Sequence, residues 1–216
     1  MILISSLQLK SAFHAVKQCA KGLTKIASIT GTVAFAQFKY YKKEHAALHE
    51  AAHAVIAEHL EPNSIDCAKI TGEYLGKYSG EVHANTKMTW THLTSVSFAG
   101  FAQDLKQKEL LDRTNFMEQE LGLPLSNVST KSSEQLQLMK EDSRYSTDLA
   151  LAYRAEHRLH ENNIEIENNL IRSLKKTKKL VEQNQTAIHA VAEVLCDKEE
   201  LFGDEIREII KVNSKN

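Results

Sequence analysis

His49-Glu50-Ala51-Ala52-His53 lies inside the run Glu44-His45-Ala46-Ala47-Leu48-His49-Glu50-Ala51-Ala52-His53-Ala54-Val55-Ile56-Ala57-Glu58-His59-Leu60, and its reading decides the fold. No Pro or Gly interrupts the run, and Ala, Leu and Glu are good helix formers. Apolar Leu48, Ala52, Val55 and Ile56 recur at helical spacing, which predicts a helix with one buried face. Side chains four apart stack on one face of a helix, so the imidazoles of His49 and His53 can grip one metal ion together. Glu50, beside the first imidazole, is placed to polarise a water held by that metal rather than to bind the metal itself. His45 and His59 share the helix, yet only the 49/53 pair brackets a Glu in this register.

Composition bounds the rest. A chain of 216 residues is long enough for one domain with a substantial core and an added N-terminal segment. Lys plus Arg number 27 against 28 Asp plus Glu, so there is no electrostatic case for a nucleic-acid partner. With only 2 Pro and 8 Gly and much Ala, Leu, Glu and Lys, a mainly α protein is expected. Cys19, Cys67 and Cys196 are few, odd in number and widely spaced. They fit a reducing cytoplasm better than a disulfide framework, and none has a Cys neighbour at metal-ligand spacing.

Residues 1–43 read as an N-terminal helical segment. Lys10, Lys17, Lys21 and Lys25 suggest an amphipathic helix with a basic side, and Ile26 to Phe38 is mildly apolar but short and carries Ser, Thr and Gln. A spanning helix needs ~20 predominantly apolar residues, so membrane association is not favoured. The basic residues follow the apolar start rather than precede it, unlike a signal peptide. Glu61-Pro62-Asn63 ends the His-bearing helix. From Ser64 to Ala84, apolar residues spaced by Gly72, Gly76 and Gly80 predict a small hairpin or two short strands. Trp90 to Leu121 returns to helix with Ala99-Gly100 in its middle, where another backbone could approach closely. Gly122-Leu123-Pro124 stops it, and Ser126 to Ser133 reads as a polar loop. A helix starting near Ser146 or Thr147 carries Asp148 in its first turn. Ile164 to Gln183, Thr186 to Cys196, and a helix opened by Gly203-Asp204 and running through Ile210 complete the chain. Among the other charged groups, His157 and His160 are expected to face solvent. The run Lys175-Lys176 with Lys178-Lys179 reads as a solvated helix face, and Glu205 and Glu208 as surface or dipole residues.

Two His with Glu between them on a helix is the pattern of a zinc metallopeptidase with Glu as general base. Three separated stretches extend it. Lys43 to Leu60 resembles the metal helix of the peptidase domain of the membrane-bound AAA protease FtsH and its relatives. Phe98-Ala99-Gly100-Phe101-Ala102, followed by the helix start Ser146-Thr147-Asp148-Leu149, resembles that family's Ala-Gly helix and its Asn-Asp-Leu ligand segment. Leu180-Val181-Glu182, through Leu201-Phe202-Gly203-Asp204-Glu205-Ile206-Arg207-Glu208-Ile209-Ile210, resembles its C-terminal helices.

The resemblance implies a helical zincin-like metallopeptidase domain over residues 44–212, with a small β-hairpin or edge strand beside the metal helix that holds substrate as an added strand. It implies Zn2+ held by His49, His53 and Asp148, with Glu50 as catalytic base. Glu73, Glu141 and Asp142 are the alternative oxygen ligands. Two departures stand out. Ala52 replaces the family's usual Gly one residue before the second His, and no Gly-x-x-x-x-Gly-Lys-Ser/Thr phosphate loop is present. The expected activity is therefore ATP-independent hydrolysis of peptide bonds in flexible or unfolded segments. A protein or peptide is the substrate, and a homo-oligomer or a separate ATPase is a possible partner. The competing expectation is a zinc-binding scaffold or regulatory subunit of the same fold with little turnover.

Overall fold

The computed structural model describes residues 33–34, 42–72, 77–113, 131–142, 145–160 and 163–213. The expected basic helix over residues 10–25, Glu73, Cys19 and the Gly122-Leu123-Pro124 stop lie outside them. The chain is mainly helical with one small antiparallel sheet. In chain order it comprises β1 (Val33–Ala34), α1 (Lys43–Leu60), β2 (Ile65–Gly72), β3 (Tyr78–Ala84), α2 (Trp90–Ser97), α3 (Ala99–Arg113), α4 (Ser132–Glu141), α5 (Ser146–Leu159), α6 (Asn163–Gln183), α7 (Gln185–Lys198), β4 (Glu200–Phe202) and α8 (Gly203–Asn213).

Helix α1 is the centre of the fold. Everything from Ala46 to Glu58 except Leu48 is buried, because α1 packs against α7, α3 and both long strands at once. Burial on several sides explains why small Ala dominates its sequence: Ala46, Ala47, Ala51, Ala52, Ala54 and Ala57 let neighbours close in, while Val55 and Ile56 fill the remaining space. Full burial of each of these two branched side chains contributes roughly 1.5–3 kcal/mol. Ala52 is fully buried within an unbroken helix, so its methyl group is accommodated as part of the core.

The end of α1 is tied to the sheet by one carboxylate. Glu58 accepts the backbone N–H of Asn63 at 2.7 Å and of Ile65 at 2.9 Å, and the Arg207 guanidinium of α8 lies at 3.1 Å. Asn63 turns the chain with φ 64, a left-handed conformation that Asn tolerates better than most residues. The sheet has the order β1-β3-β2-β4. The hairpin of β2 and β3 is expected from the sequence; the short strand β4, which pairs Leu201 with Ala68, is not. Its three residues carry no alternation long enough to read.

Two helix expectations need correction. The helix read from Trp90 onward is two helices, α2 and α3, meeting at Phe98, whose fully buried ring anchors the junction. The polar loop read up to Ser133 ends earlier, because Ser132 already begins α4. That helix buries only Gln135, Leu136 and Met139, and so narrow an apolar stripe in a polar setting gives a faint periodic signal. No helix among the described residues is long and apolar enough to cross a membrane.

Candidate metal centre

His49 and His53 project from the middle of α1 and are essentially inaccessible to solvent. Their Nε2 atoms lie 3.1 Å apart. Asp148, in the first turn of α5, brings its Oδ2 to 3.4 Å from His49 Nε2 and 3.3 Å from His53 Nε2. The sequence places these residues far apart, and the packing of α2 against both α1 and α5 brings them together. Among the described residues, these three side chains form the group that could hold a metal ion. Asp148 does not cap its helix: neither of its carboxylate oxygens accepts a hydrogen bond, and the cap position is Tyr145. The positive end of the α5 dipole favours its charge there.

The two imidazoles are held by their far nitrogens. His53 Nδ1 lies 2.7 Å from the carbonyl of Val96. That carbonyl is one of the last four of α2, which a helix end leaves without ladder partners. A carbonyl only accepts, so Nδ1 carries the proton and Nε2 presents its lone pair. His49 Nδ1 lies 3.1 Å from Oδ2 of Asp104 on α3 and donates to it in the same way. The phenol of Tyr145 donates to that same oxygen at 2.9 Å. With both Nδ1 protonated, the two Nε2 atoms and a carboxylate oxygen face one another and need a positive charge among them, supplied by a proton on His49 Nε2 or by a cation.

The electrostatics carry the same demand. Burial opposes an imidazolium at His49, but the carboxylates of Asp104 and Asp148, with Glu50, outweigh it and push its pKa up to about 10. Burial works against the Asp148 carboxylate too, yet His53 and His49 hold its carboxyl below the usual range. Glu50, Asp104 and Asp148 are all buried beside these rings, and buried charges are stable when paired or metal-bound.

Glu50 points from α1 toward β3. Both of its oxygens are buried and neither has a hydrogen-bond partner. Burial raises its carboxyl well above the ordinary range; His49 opposes that shift, and Asp148, Asp104 and Glu81 add to it. The approach depends on Gly80, where a Cβ would collide with the Glu50 side chain. Gly100 plays the same part for His49: a Cβ there would run into the imidazole. The close neighbour of Gly100 is thus a side chain rather than the backbone that the sequence suggests.

The alternative oxygen ligands are elsewhere. Glu141 is exposed, and Asp142 ends α4, where its carbonyl accepts the Tyr145 amide. His157 is exposed, His160 pairs with Glu156 and Glu165, and Glu205 accepts from Lys198 and the Phe202 amide. Cys67 and Cys196 are free thiols. Asp104 and Tyr145 are the residues that sequence reasoning missed. The available signal was the spacing of Gly100 and Asp104, four apart on α3 and so on one face. No protein-family model matches this chain, and no curated protein matches it either.

Proposed function

We propose that the protein is a zinc metallopeptidase, with His49, His53 and Asp148 as metal ligands and Glu50 as general base. The observation that carries this reading is the convergence of two imidazole Nε2 atoms and a carboxylate oxygen, with an unpartnered buried carboxylate next to them on α1. The spacing suits zinc. Ligand atoms ~2.0–2.1 Å from a tetrahedral ion stand ~3.3–3.4 Å from one another, and the three separations here are 3.1, 3.3 and 3.4 Å. Three protein ligands leave a fourth position for water or substrate, as catalytic zinc sites do. When bound, zinc supplies Lewis acidity that lowers the pKa of a water to ~7 and polarises a carbonyl.

The remaining chemistry belongs to the chain. Glu50 takes a proton from the attacking water as its oxygen bonds to the peptide carbonyl carbon. It then delivers that proton to the departing amine nitrogen as the C–N bond breaks. A carboxyl whose burial raises its proton affinity suits this two-way transfer. The outer edge of β3 offers the substrate a place. Among the described residues, β1 pairs only with His83 and Ala84, leaving the backbone from Tyr78 to Val82 without a strand partner on that side. An extended peptide adding there runs past Gly80, where Glu50 packs. Flexible or unfolded segments, which can lie along that edge as an added strand, are the suitable substrates.

The test pairs metal analysis with cleavage of casein. The wild-type protein is expected to hold about one zinc per chain and to cleave. Glu50→Gln is expected to keep the zinc and lose cleavage by roughly 10²–10⁴-fold, the contribution usual for a general base. Cleavage that survives Glu50→Gln rules the mechanism out, and zinc without cleavage in the wild type favours the scaffold. The unpartnered carboxylate of Glu50 speaks against a purely structural site, which has no use for a base.

A further inference from the structure

We propose that Asp104 is a positioning residue that sets two of the three metal ligands at once, His49 directly and Asp148 through Tyr145. The inference rests on the metal site proposed above and concerns what makes that site rigid.

One oxygen carries both connections. Asp104 Oδ2 accepts from His49 Nδ1 at 3.1 Å and from Tyr145 Oη at 2.9 Å. The first contact fixes the tautomer and the plane of the imidazole, so that Nε2 and not Nδ1 faces the metal position. A carboxylate on the far nitrogen also raises the basicity of the ligating one. The second contact acts on a different element. Tyr145 immediately precedes α5, whose first turn holds Asp148. Its ring is fully buried, edge-on to Phe101 at 4.7 Å and stacked on His49 at 6.3 Å between centroids. Pinning the phenol to Asp104 therefore fixes where α5 starts. Phe101 and Asp104 both belong to α3, so one face of that helix holds the ring and the hydroxyl of Tyr145 together.

Asp104 is 5% exposed, and a buried carboxylate is a poor choice for a position that only needs filling. Among the described residues, Asp104 meets a metal-ligand ring and the residue that opens the ligand-bearing helix. The far nitrogen of His53, by contrast, is held at 2.7 Å by the Val96 carbonyl. The site is thereby divided into one ligand fixed by the backbone of α2 and two fixed through a single side chain of α3.

The experiment measures zinc affinity by chelator competition on the full chain, together with the visible absorption of the Co2+-substituted protein. Asp104→Asn is expected to weaken zinc by ~10–100-fold, the range for partners of ligand His. Tyr145→Phe, which keeps the ring and its packing, is expected to weaken it less and to shift the Co2+ absorption bands. In an Asp104→Ala background, adding Tyr145→Phe is expected to cost little more, because the phenol then has lost the acceptor through which it acts. Asp104→Glu is expected to restore part of the affinity. Melting temperatures of the metal-free variants separate positioning from folding: lost affinity in a chain that melts like the wild type supports the proposal. Unchanged zinc affinity in Asp104→Asn and Tyr145→Phe overturns it while leaving the peptidase reading intact. Affinities that fall only in step with the metal-free melting temperature overturn it too. A wild-type chain that binds no zinc overturns both.

Discussion

Gly100 lies so close to His49 that a methyl group in its place would run into the imidazole. The contact is between helix α3 and the ring of a proposed ligand, so space at this position is a condition for the ring's orientation. Gly100→Ala is expected to force α1 and α3 apart or to rotate His49. Overpacking of a core typically costs ~1–3 kcal/mol, and here the strain falls on the ligand. Zinc affinity is expected to drop at least about tenfold, the effect of disturbing a ligand's support, as read by chelator competition. Wild-type affinity in Gly100→Ala would mean that the ring has slack this structure does not show.

Gly80 supports a different group. A Cβ there would meet the Glu50 side chain at its Cγ and carboxylate, not a ligand. Gly80→Ala is therefore expected to displace the base while leaving His49, His53 and Asp148 in place. The measured pattern should be near-normal zinc content with peptide cleavage reduced by about 10²-fold or more. The mirror-image pair is informative: loss of metal in Gly100→Ala, loss of turnover without loss of metal in Gly80→Ala. Equal loss of zinc in both variants would argue that the two glycines only hold the core together.

Removing the metal tests how far the site is also a stabilising element. The three ligand atoms belong to α1 and α5, so a cation bound to them would join the two helices. A metal present at 1,000 times its Kd adds ~4 kcal/mol to folding, which is ~8–16 °C in melting temperature for a chain of this size. A calorimetric scan with and without chelator should show that shift in the wild type and none in His53→Ala. An equal chelator effect in both would place the metal elsewhere.

How much of this was legible follows from how far each signal reaches along the chain. That His49 and His53 share one face, with Glu50 beside them, was readable because α1 has an unbroken helical run, and helix geometry alone decides which side chains share a face. Asp148 was reachable only through family likeness; nothing local distinguishes it from an N-terminal dipole partner. Asp104 shares a helix face with Gly100, but that spacing does not say what the face meets. Its proposed role depends on α3 lying across α1, a long-range packing relationship that no window of sequence contains. The break at Phe98 was missed for a related reason: helical periodicity continues through Val96, Phe98 and Phe101, while the interruption comes from packing. Strand β4 is fixed by pairing with β2 rather than by its own three residues.

The protonation of His49 supplies a prediction with a definite sign. In the metal-free chain, burial disfavours the imidazolium, but Asp104 and Asp148 prevail and raise its pKa from 6.5 to about 10. The native state thus keeps a proton that the unfolded chain releases between those two values. The stabilisation is complete below pH 6.5, shrinks through the window, and is gone above about 10. Glu50 acts in the same direction from lower pH, since its raised carboxyl also binds a proton more tightly in the native state. Asp148, whose carboxyl is lowered, acts oppositely and loses its contribution only in acid. A metal ion requires a neutral imidazole, so binding between pH 6.5 and about 10 must expel the His49 proton. Zinc affinity is expected to rise about tenfold per pH unit across the accessible part of that window, while the melting temperature of the metal-free protein falls. Calorimetric titration in buffers of different ionisation enthalpy counts the protons released, and His49→Ala should remove both trends. An affinity independent of pH from 6.5 to 9, or a metal-free protein that gains stability over the same range, would contradict the arrangement of charges around this ring.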